Sequence, residues 1–598
     1  MDTIAKGISK AGSSKERILA FAIFLASLAH GIYFTHEWLG FGVLIFAYAL
    51  WQQKGSFREA ARPVVWTITD TFFMVMLGLT IWGLWQPVKV AEGLLGICRW
   101  STLWYVYRWA REISYDSQAG HRLIYWIQIT AVLLAGAGWF IEIVNVLGRP
   151  EDVLGRLSSW LGYSNSAAAF LGAVLLLKPR SFSLCLFLGI SLLSTGSRSA
   201  IGLYVFVSIL DYLVRFFRNK KKYKPQEFFY GVFSGRNWSY VLGKWILIIA
   251  AGLALSALLF KPAWVHLAEW GFGNSSWGAR LLYYQDGFKL AWIFRGLPHA
   301  GGWSAFPTVQ QIPYWTADPH SSFITILLNQ GIPGFLSILL WIILVLRNKF
   351  LGSSKTVLKS ANLFAPLVFL VLHSLVDADF SFGILGILFW ILFGLESEQF
   401  SSTEIKQSYF KPLKFLKPLK RLVPLVFATL LLTGSLSLAL RPNLLNLGEH
   451  WSLKAKSLSG EDPSLSITLY HKSLFWDKTR AAWQRQLAEL EFQQGNIGEG
   501  IKQTENALIW QGFDLGAYEW AQSLVWQTAE LQDNSGFNNS AGLYDWVENV
   551  PARIESKRLS VNENKRWLWQ GSASFRPTPH IILLADYARQ RQFTKQGP

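Results

Sequence analysis

The feature that most constrains the fold of this chain is a succession of long apolar segments in its first 440 residues. A helix needs roughly 20 mostly apolar residues to cross the hydrocarbon core of a bilayer. About thirteen segments approach that length and are separated by polar connections, which predicts an all-α, polytopic helical membrane protein. Their approximate bounds are 17–34, 37–51, 64–85, 88–107, 122–144, 163–178, 181–196, 199–215, 243–260, 322–346, 361–377, 380–395 and 422–440.

The composition argues against a soluble protein of this length. Hydrophobic residues make up 51% of the 598 residues and charged residues only 16%, whereas soluble domains contain about 25% charged residues. The 30 tryptophans fit aromatic belts at two membrane interfaces. Cys98 and Cys185 both lie in apolar runs, so neither a disulfide framework nor a cysteine metal site is expected.

The lysines and arginines of the short connections predict the orientation of the apolar segments. Positive residues accumulate in the cytoplasmic loops of membrane proteins, and here they fall in alternate connections. With the N-terminus inside, most of the net charge of +18 lies at the cytoplasmic membrane surface, which makes nucleic-acid binding a poor explanation of that charge. The basic connections carry Lys54, Arg58 and Arg62; Arg108, Arg111 and Arg122; Lys178 and Arg180; Arg215, Arg218, Lys220, Lys221, Lys222 and Lys224; Arg347 and Lys349; and Lys411, Lys414, Lys417, Lys420 and Arg421.

This pattern divides the chain into three parts. Residues 1–16 form a cytoplasmic N-terminus, and residues 17–440 form a transmembrane domain with a large extracytoplasmic loop at 261–321. Residues 441–598 follow on the same side as that loop and have helical rather than strand periodicity. The apolar spacing over 483–508 is similar to one tetratricopeptide helix pair, and 579–593 is compatible with a further helix of this kind.

The large loop ends on a histidine where the chain re-enters the membrane. Histidine can accept or donate a proton near neutral pH. Gly331 lies eleven positions after His320, or about three helical turns, and a Pro-Gly turn signal follows it. Two interpretations fit His320, a proton acceptor in catalysis and a residue that caps a membrane segment at the interface.

An arginine interrupts the apolar run at Ser197–Ala200, on the same predicted side of the membrane. Placing an arginine at hydrocarbon depth costs at least roughly 2.5 kcal/mol, so Arg198 is a candidate for binding an anionic ligand. The alternative is an arginine whose side chain snorkels to the interface. The depletion of positive residues on the extracytoplasmic side favours the ligand.

Two further arginines lie in the large loop. Arg280 follows the polar stretch Gly273–Ala279 and is either a ligand-binding residue or a solvated loop residue. Arg295 precedes a glycine-rich stretch, Gly296–Trp303, in which backbone N–H groups could approach a ligand closely. That stretch contains His299, Gly301 and Gly302.

These residue types suggest a reaction. Arginines bind phosphate oxygens through bidentate, charge-assisted hydrogen bonds, and a histidine can remove the proton of a hydroxyl group. The sequence has no metal-ligand constellation, no Walker loop and no dinucleotide-binding loop. It therefore predicts an anionic substrate and a general base at the outer membrane face, without metal, nucleotide or other cofactor.

Four stretches of the chain also match motifs of a known family. They are Tyr163–Ala169, Thr195–Ala200, Pro298–Phe306 with the following spacing from His320 to Gly331, and His373–Phe380. Through these stretches, within residues 150–395, the chain resembles the O-antigen ligase and O-antigen polymerase superfamily of bacterial glycan-transfer membrane proteins. The long helical tail resembles that of the extended members that carry tetratricopeptide-like repeats.

The resemblance implies an inverting, metal-independent glycosyltransferase in the bacterial cytoplasmic membrane, with the tail outside the cytoplasm. It would transfer a glycan from a polyprenyl diphosphate, such as undecaprenyl diphosphate, to a hydroxyl group of lipid A-core, of another lipid-linked glycan or of a protein. His320 would be the general base, Arg198 and Arg280 would hold the diphosphate, and Arg295 is a further candidate for that task. The remaining substrate-binding candidates are His299, Gly301, Gly302 and Asn165, of which Asn165 is alternatively a helix N-cap.

Other functions fit parts of the sequence. A multi-span solute transporter would use polar residues such as Asp377 and Asp379 along its path. A scaffold would use the tail to bind a periplasmic partner and the membrane part as an anchor, which leaves the outer-face arginines unexplained. Within the transferase interpretation, ligase, polymerase and O-oligosaccharyltransferase remain open.

Overall fold

The structure is a computed structural model. It describes residues 2–56, 66–148, 155–179, 181–218, 238–268, 275–351, 363–396, 417–535, 540–560 and 569–596. Several residues of the predicted basic connections lie outside these ranges, namely Arg58, Arg62, Arg180, Lys220, Lys221, Lys222, Lys224, Lys411 and Lys414.

The all-α prediction is confirmed. Apart from one isolated bridge between Lys89 and Asp477, the regular structure of the described residues is helical. The predicted transmembrane domain contains α1 (Asp2–Leu28), α2 (Thr35–Ser56), α3 (Ile68–Gly83), α4 (Val90–Ile113), α5 (Ser117–Gly148), α6 (Ser164–Leu176), α7 (Phe182–Ser194), α8 (Arg198–Arg218), α9 (Trp238–Leu259), α10 (Lys261–Ala268), α11 (Ser275–Ile293), α12 (Ser322–Asn329), α13 (Gly331–Leu351), α14 (Phe364–Val376), α15 (Gly383–Glu396) and α16 (Lys417–Leu440). The tail contains α17 (Leu447–Leu458), α18 (Pro463–Trp476), α19 (Ala481–Gln493), α20 (Ile497–Trp510), α21 (Leu515–Asn534), α22 (Ala541–Glu548), α23 (Val550–Leu559) and α24 (Pro579–Gln596).

The helices differ in their ability to cross a membrane. Among the described residues, Ser117–Asn145 of α5, with a mean hydropathy of 1.8, is long and apolar enough on its own. The sharply bent pair Ile248–Leu259 and Lys261–Leu267 also qualifies if it counts as one segment. Several other predicted segments form apolar helices of only 10–17 residues.

The centre of the bundle is α15, every residue of which is buried. A helix that is apolar on all sides is stable only when other helices surround it, and α4 covers one of its faces. At this contact a Cβ on Gly394 would lie 2.6 Å from the Ala110 Cβ atom and 2.7 Å from the Tyr107 carbonyl oxygen. The rings of Phe73 and Trp390 pack nearby with centroids 4.4 Å apart.

The apolar segment predicted near 322–346 contains two helices rather than one continuous helix. It breaks between α12 and α13 because Gly331 adopts a left-handed conformation with φ +69°. The Ile332 N–H donates to the Gly296 carbonyl oxygen at 2.9 Å, and a Cβ on Gly331 would lie only 2.5 Å from that oxygen. Glycine is therefore required both by the backbone conformation and by the close approach of the loop.

We expect Gly331→Ala to destabilise the protein. The new side chain would be strained in a sparsely populated conformation, at about 1–3 kcal/mol, and would also clash with Gly296. The melting temperature of the detergent-solubilised full-length chain should fall clearly. Gly78→Ala in α3 is the matched control, since a Cβ there meets no atom within 4 Å, and equal melting temperatures for both variants would contradict the argument.

The tail is a stack of helices in which consecutive helices pack against each other from α17 to α22. The pair α19 and α20 confirms the predicted helix pair, with Trp483, Leu487 and Leu490 buried on α19. Gly495 makes the turn between the two helices with φ +75°. Such stacking is typical of repeat proteins, while the tetratricopeptide assignment itself stays a prediction.

The tail packs against the large loop of the first domain. Leu282 and Ile312 of the loop share one buried apolar cluster with Phe492 and Leu508 of the tail. In addition, the Lys478 N–H donates to the Val88 carbonyl oxygen at 3.0 Å. The contact places the tail at the end of the bundle that also holds the loop.

Candidate active site

Several polar residues from distant parts of the sequence meet at one end of the bundle. They lie where helices begin or end: Asn165 in the first turn of α6, Arg198 at the start of α8, His320 shortly before α12, and Asp377 directly after α14. Arg280 comes from the first turns of α11. Each of these residues lies at or near the end of a helix. The fold therefore brings several helix ends together at this site.

Asp377 is the centre of this arrangement. Its carboxylate is fully buried and accepts hydrogen bonds from Arg280 Nη2 at 2.9 Å, Asn165 Nδ2 at 2.7 Å and the Tyr163 hydroxyl at 2.9 Å. The Ala378 N–H adds a fourth donor at 2.8 Å. A buried carboxylate is stable only with such partners, so the predicted residues Arg280 and Asn165 are held by a group that the sequence analysis had named only for a transporter.

The backbone of His320 is strained and anchored on both sides. It has φ +50°, which is unusual for a residue other than glycine. Its N–H donates to Asp318 Oδ1 at 2.9 Å, and its carbonyl oxygen accepts from the Tyr284 hydroxyl at 3.2 Å. These two backbone contacts help to orient the His320 side chain.

The imidazole of His320 lies between two tyrosines and the central carboxylate. Its ring stacks on Tyr283 with centroids 5.7 Å apart. Its Nδ1 atom lies 3.4 Å from the Tyr163 hydroxyl oxygen and 3.7 Å from Asp377 Oδ1. The second separation is too long for a hydrogen bond, so Tyr163 forms the direct link between His320 and Asp377.

These contacts define the tautomer of His320. The single hydroxyl hydrogen of Tyr163 points to the carboxylate of Asp377, because a carboxylate can only accept. The Tyr163 oxygen then accepts from Asn165 Nδ2 at 2.9 Å, and its longer contact with His320 assigns the hydrogen of the imidazole to Nδ1. The Nε2 atom, on the far side of the ring, carries the lone pair and can receive a proton.

Arg156 joins two of the segments that carry predicted site residues. Its Nε–H donates to the Thr195 carbonyl oxygen at 2.8 Å and its Nη2 donates to Asn165 Oδ1 at 2.9 Å. Burial lowers the pKa of Arg156, and the positive charges of Arg198 and Arg280 act in the same direction. The three guanidinium groups therefore lie within electrostatic reach of one another.

Arg198 is held by a residue from another helix. Its Nη2 lies 2.9 Å from His266 Nε2, and His266 Nδ1 lies 3.0 Å from the Gly196 carbonyl oxygen. Arg198 follows the turn at Gly196, which has φ +62°. The Thr-Gly-Ser-Arg stretch thus forms a tight turn that leads directly into α8.

A second histidine, His373, lies close to Asp377 and is fully buried. His373 Nδ1 is 2.8 Å from Asp379 Oδ2, and both side chains are fully buried. His373 Nε2 is 3.3 Å from the Ser199 hydroxyl oxygen, on the first turn of α8. This pair ties the turn after α14 to the helix that carries Arg198.

Burial raises the pKa of two residues of the large loop around His320. The pKa of Asp318 is raised by burial, although the neighbouring His320 opposes this shift. Burial also raises the pKa of Tyr284 to about 12. Tyr284 therefore stays a hydrogen-bond donor to the His320 carbonyl oxygen over the physiological range.

The glycine-rich stretch lies at the other end of α12 from His320. Gly302 N–H donates to Asn329 Oδ1 at 3.0 Å and His299 N–H donates to the Leu328 carbonyl oxygen at 3.2 Å. A Cβ on Gly301 would lie 3.0 Å from Lys89 Cβ. The structure brings Asn165, Arg280 and His320 together, and it gives His299, Gly301 and Gly302 packing roles near the break at Gly331; Arg295 is exposed there.

Sequence reasoning missed the role of five residues of the site. Tyr163, Asp377 and Asp379 lie inside the quoted motifs, but Tyr163 was given no role and the two aspartates were named only for a transport path. Arg156 and His266 were not singled out. The available signal was a charged or imidazole side chain on the predicted extracytoplasmic side, where such residues are few.

The described residues contain no group of three or more histidine, cysteine or acidic side chains that could hold a metal ion. The chain matches no protein-family model, no curated protein and no solved structure.

Proposed function

We propose that this chain is a polytopic membrane glycosyltransferase that moves a glycan from a polyprenyl diphosphate to an acceptor hydroxyl group at the outer face of the membrane. The observation that carries the proposal is the buried Asp377 carboxylate, which orders both a histidine with a free Nε2 lone pair and an arginine. A base for a hydroxyl proton and a cation for a diphosphate are the two groups that this reaction requires.

The reaction can be written with these groups in defined roles. The acceptor oxygen attacks the anomeric carbon of the glycan, the carbon–oxygen bond to the diphosphate breaks, and the configuration inverts. The acceptor proton moves to His320 Nε2, and the diphosphate leaves with the bonding electrons. Arg198 and Arg280 would neutralise the charge that develops on the leaving oxygen, so that no acid needs to protonate it.

The surface of the helical bundle supports a membrane location. Large apolar side chains that soluble proteins usually bury are exposed on several helices, among them Phe140, Phe206, Leu258 and Ile343. An extended apolar surface of this kind fits contact with lipid. At the end of the bundle that holds the large loop, the most exposed tryptophans are Trp85, Trp292 and Trp315. Exposed tryptophans are expected at a membrane interface.

We expect Arg280→Lys to reduce glycan transfer about tenfold, because lysine retains the charge but loses the planar fork that can bind Asp377 and a phosphate at once. Membrane vesicles with the full-length chain would be supplied with the lipid-linked glycan of the native cell, and product formation would be measured. Arg589→Lys, on the exposed α24, is the matched control. Equal loss in both variants would contradict the role of Arg280.

Deletion of the gene and analysis of the cell's glycans would identify the acceptor. Retained single repeats without long chains would indicate a polymerase, and accumulated lipid-linked polymer would indicate a ligase. Unmodified protein acceptors would indicate an O-oligosaccharyltransferase. Unchanged glycans, together with saturable solute flux in proteoliposomes, would favour the transporter instead.

A further inference from the structure

The short helix α10 lies over both arginine-bearing turns of the site. It follows α9 after a bend of 97°. At its start, the Ala263 N–H donates to the Gly155 carbonyl oxygen at 2.7 Å, next to Arg156 in the sequence. At the same residue, a Cβ on Gly196 would lie 3.0 Å from the Ala263 Cα atom. The start of α10 is thus packed tightly against both turns.

One side chain of α10 reaches Arg198 directly. Arginine can only donate and a carbonyl oxygen can only accept. His266 must therefore accept the Arg198 hydrogen bond at Nε2, at 2.9 Å, and donate to the Gly196 carbonyl oxygen from Nδ1, at 3.0 Å. Only the neutral imidazole with its hydrogen on Nδ1 satisfies both contacts, and it links the guanidinium to the backbone of its own turn.

We infer that His266 is a positioning residue that fixes the direction of the Arg198 guanidinium for binding a diphosphate. The inference rests on the proposed function, since it presupposes that Arg198 binds the diphosphate. An arginine side chain has many rotamers, and holding one of its nitrogens reduces the ordering cost of ligand binding. The plane of the Arg198 guanidinium is then fixed before the ligand arrives.

The two polar contacts of His266 can be separated by substitution. The amide oxygen of glutamine reaches about as far as Nε2 and can accept from Arg198. The amide of asparagine ends near the position of Nδ1 and can donate to Gly196 but does not reach Arg198. Alanine removes both contacts. A role through Arg198 therefore predicts that His266→Gln retains function while His266→Asn and His266→Ala lose it.

The test measures ligand binding rather than turnover. Farnesyl diphosphate would be titrated into the detergent-solubilised full-length chain by calorimetry. We expect affinity to fall about tenfold for His266→Asn and His266→Ala, and to stay within about threefold of the wild type for His266→Gln. Melting temperatures of the same samples would show whether each variant is folded.

A second measurement separates this inference from the proposed function. In an Arg198→Ala background, His266→Ala should cause no additional loss of affinity, because a positioning residue acts only through its partner. Additive losses, or equal affinities of the wild type and His266→Ala, would overturn the role of His266. If the wild type itself did not bind farnesyl diphosphate, the diphosphate site would fail and the proposed function with it.

Discussion

Replacing His320 with alanine should abolish glycan transfer and leave the folded protein in the membrane. A general base contributes about 10²–10⁴-fold to a reaction rate, so the expected loss is of that size. His320 can be removed without a large packing defect, since its side chain is 27% exposed. Transfer would be measured in membrane vesicles with equal amounts of the full-length chain.

The substitution His320→Gln tests whether proton transfer, rather than shape, is what the imidazole supplies. Glutamine can accept a hydrogen bond near the position of Nε2 but cannot take up the proton at neutral pH. We therefore expect it to be nearly as inactive as alanine. By contrast, His266→Gln should retain activity, so the two histidines would respond oppositely to the same change.

The control for His320 is His471→Ala, on the exposed face of α18 in the tail. This change should leave transfer unaffected, because His471 lies away from the residues around Asp377. An active His320→Ala protein would remove the assignment of the base. If a reduced melting temperature showed that the His320→Ala protein is misfolded, the His320→Gln protein would be used for the decisive measurement.

The helices of this chain were largely predictable because their signal is local. Apolar runs bounded by polar connections predicted nearly every helix of the first domain, and the spacing of Trp483, Leu487 and Leu490 predicted the pair α19 and α20. The break before Gly331 was not predicted, although a Pro-Gly turn signal follows it. Its cause is the carbonyl oxygen of Gly296, which only the folded chain brings to Gly331.

The sequence predicted several residues of the site but not how they are arranged in space. His320, Arg280 and Asn165 stand out as polar residues at helix boundaries. Their common partner Asp377 lies 97 residues from Arg280 and 212 from Asn165 along the chain. No local pattern connects such positions, so the sequence alone does not show that Asp377 is their common partner.

The glycine-rich stretch shows how packing can account for glycines in which the sequence suggested a ligand site. Its glycines suggested a backbone that approaches a ligand, since nothing else in the sequence requires them. In the structure, a Cβ on Gly302 would lie 2.9 Å from Leu328 Cβ, and Gly301 has φ +69°. Close packing of the loop on α12 thus accounts for both residues. The sequence alone does not distinguish a glycine that lets a ligand approach the backbone from one that lets another helix approach it.

Asp377→Asn should be the most damaging conservative substitution in the chain. Four donors converge on the carboxylate, from Arg280, Asn165, Tyr163 and the Ala378 backbone. An amide has only one oxygen, and its NH₂ group would face donors instead of accepting from them. Breaking a buried ion pair from one side costs about 3–5 kcal/mol, so both the melting temperature and glycan transfer should fall.

Stability and catalysis can be separated at this position. The double variant Asp377→Asn with Arg280→Gln removes the uncompensated positive charge and should regain part of the lost melting temperature. Transfer should not recover, because His320 still lacks the carboxylate that orders it through Tyr163. Asp586→Asn makes the same chemical change in an exposed pair on α24, where little effect is expected. If the double variant recovered activity along with stability, Asp377 would be a structural residue only, and the tyrosine link to His320 would have no part in the reaction.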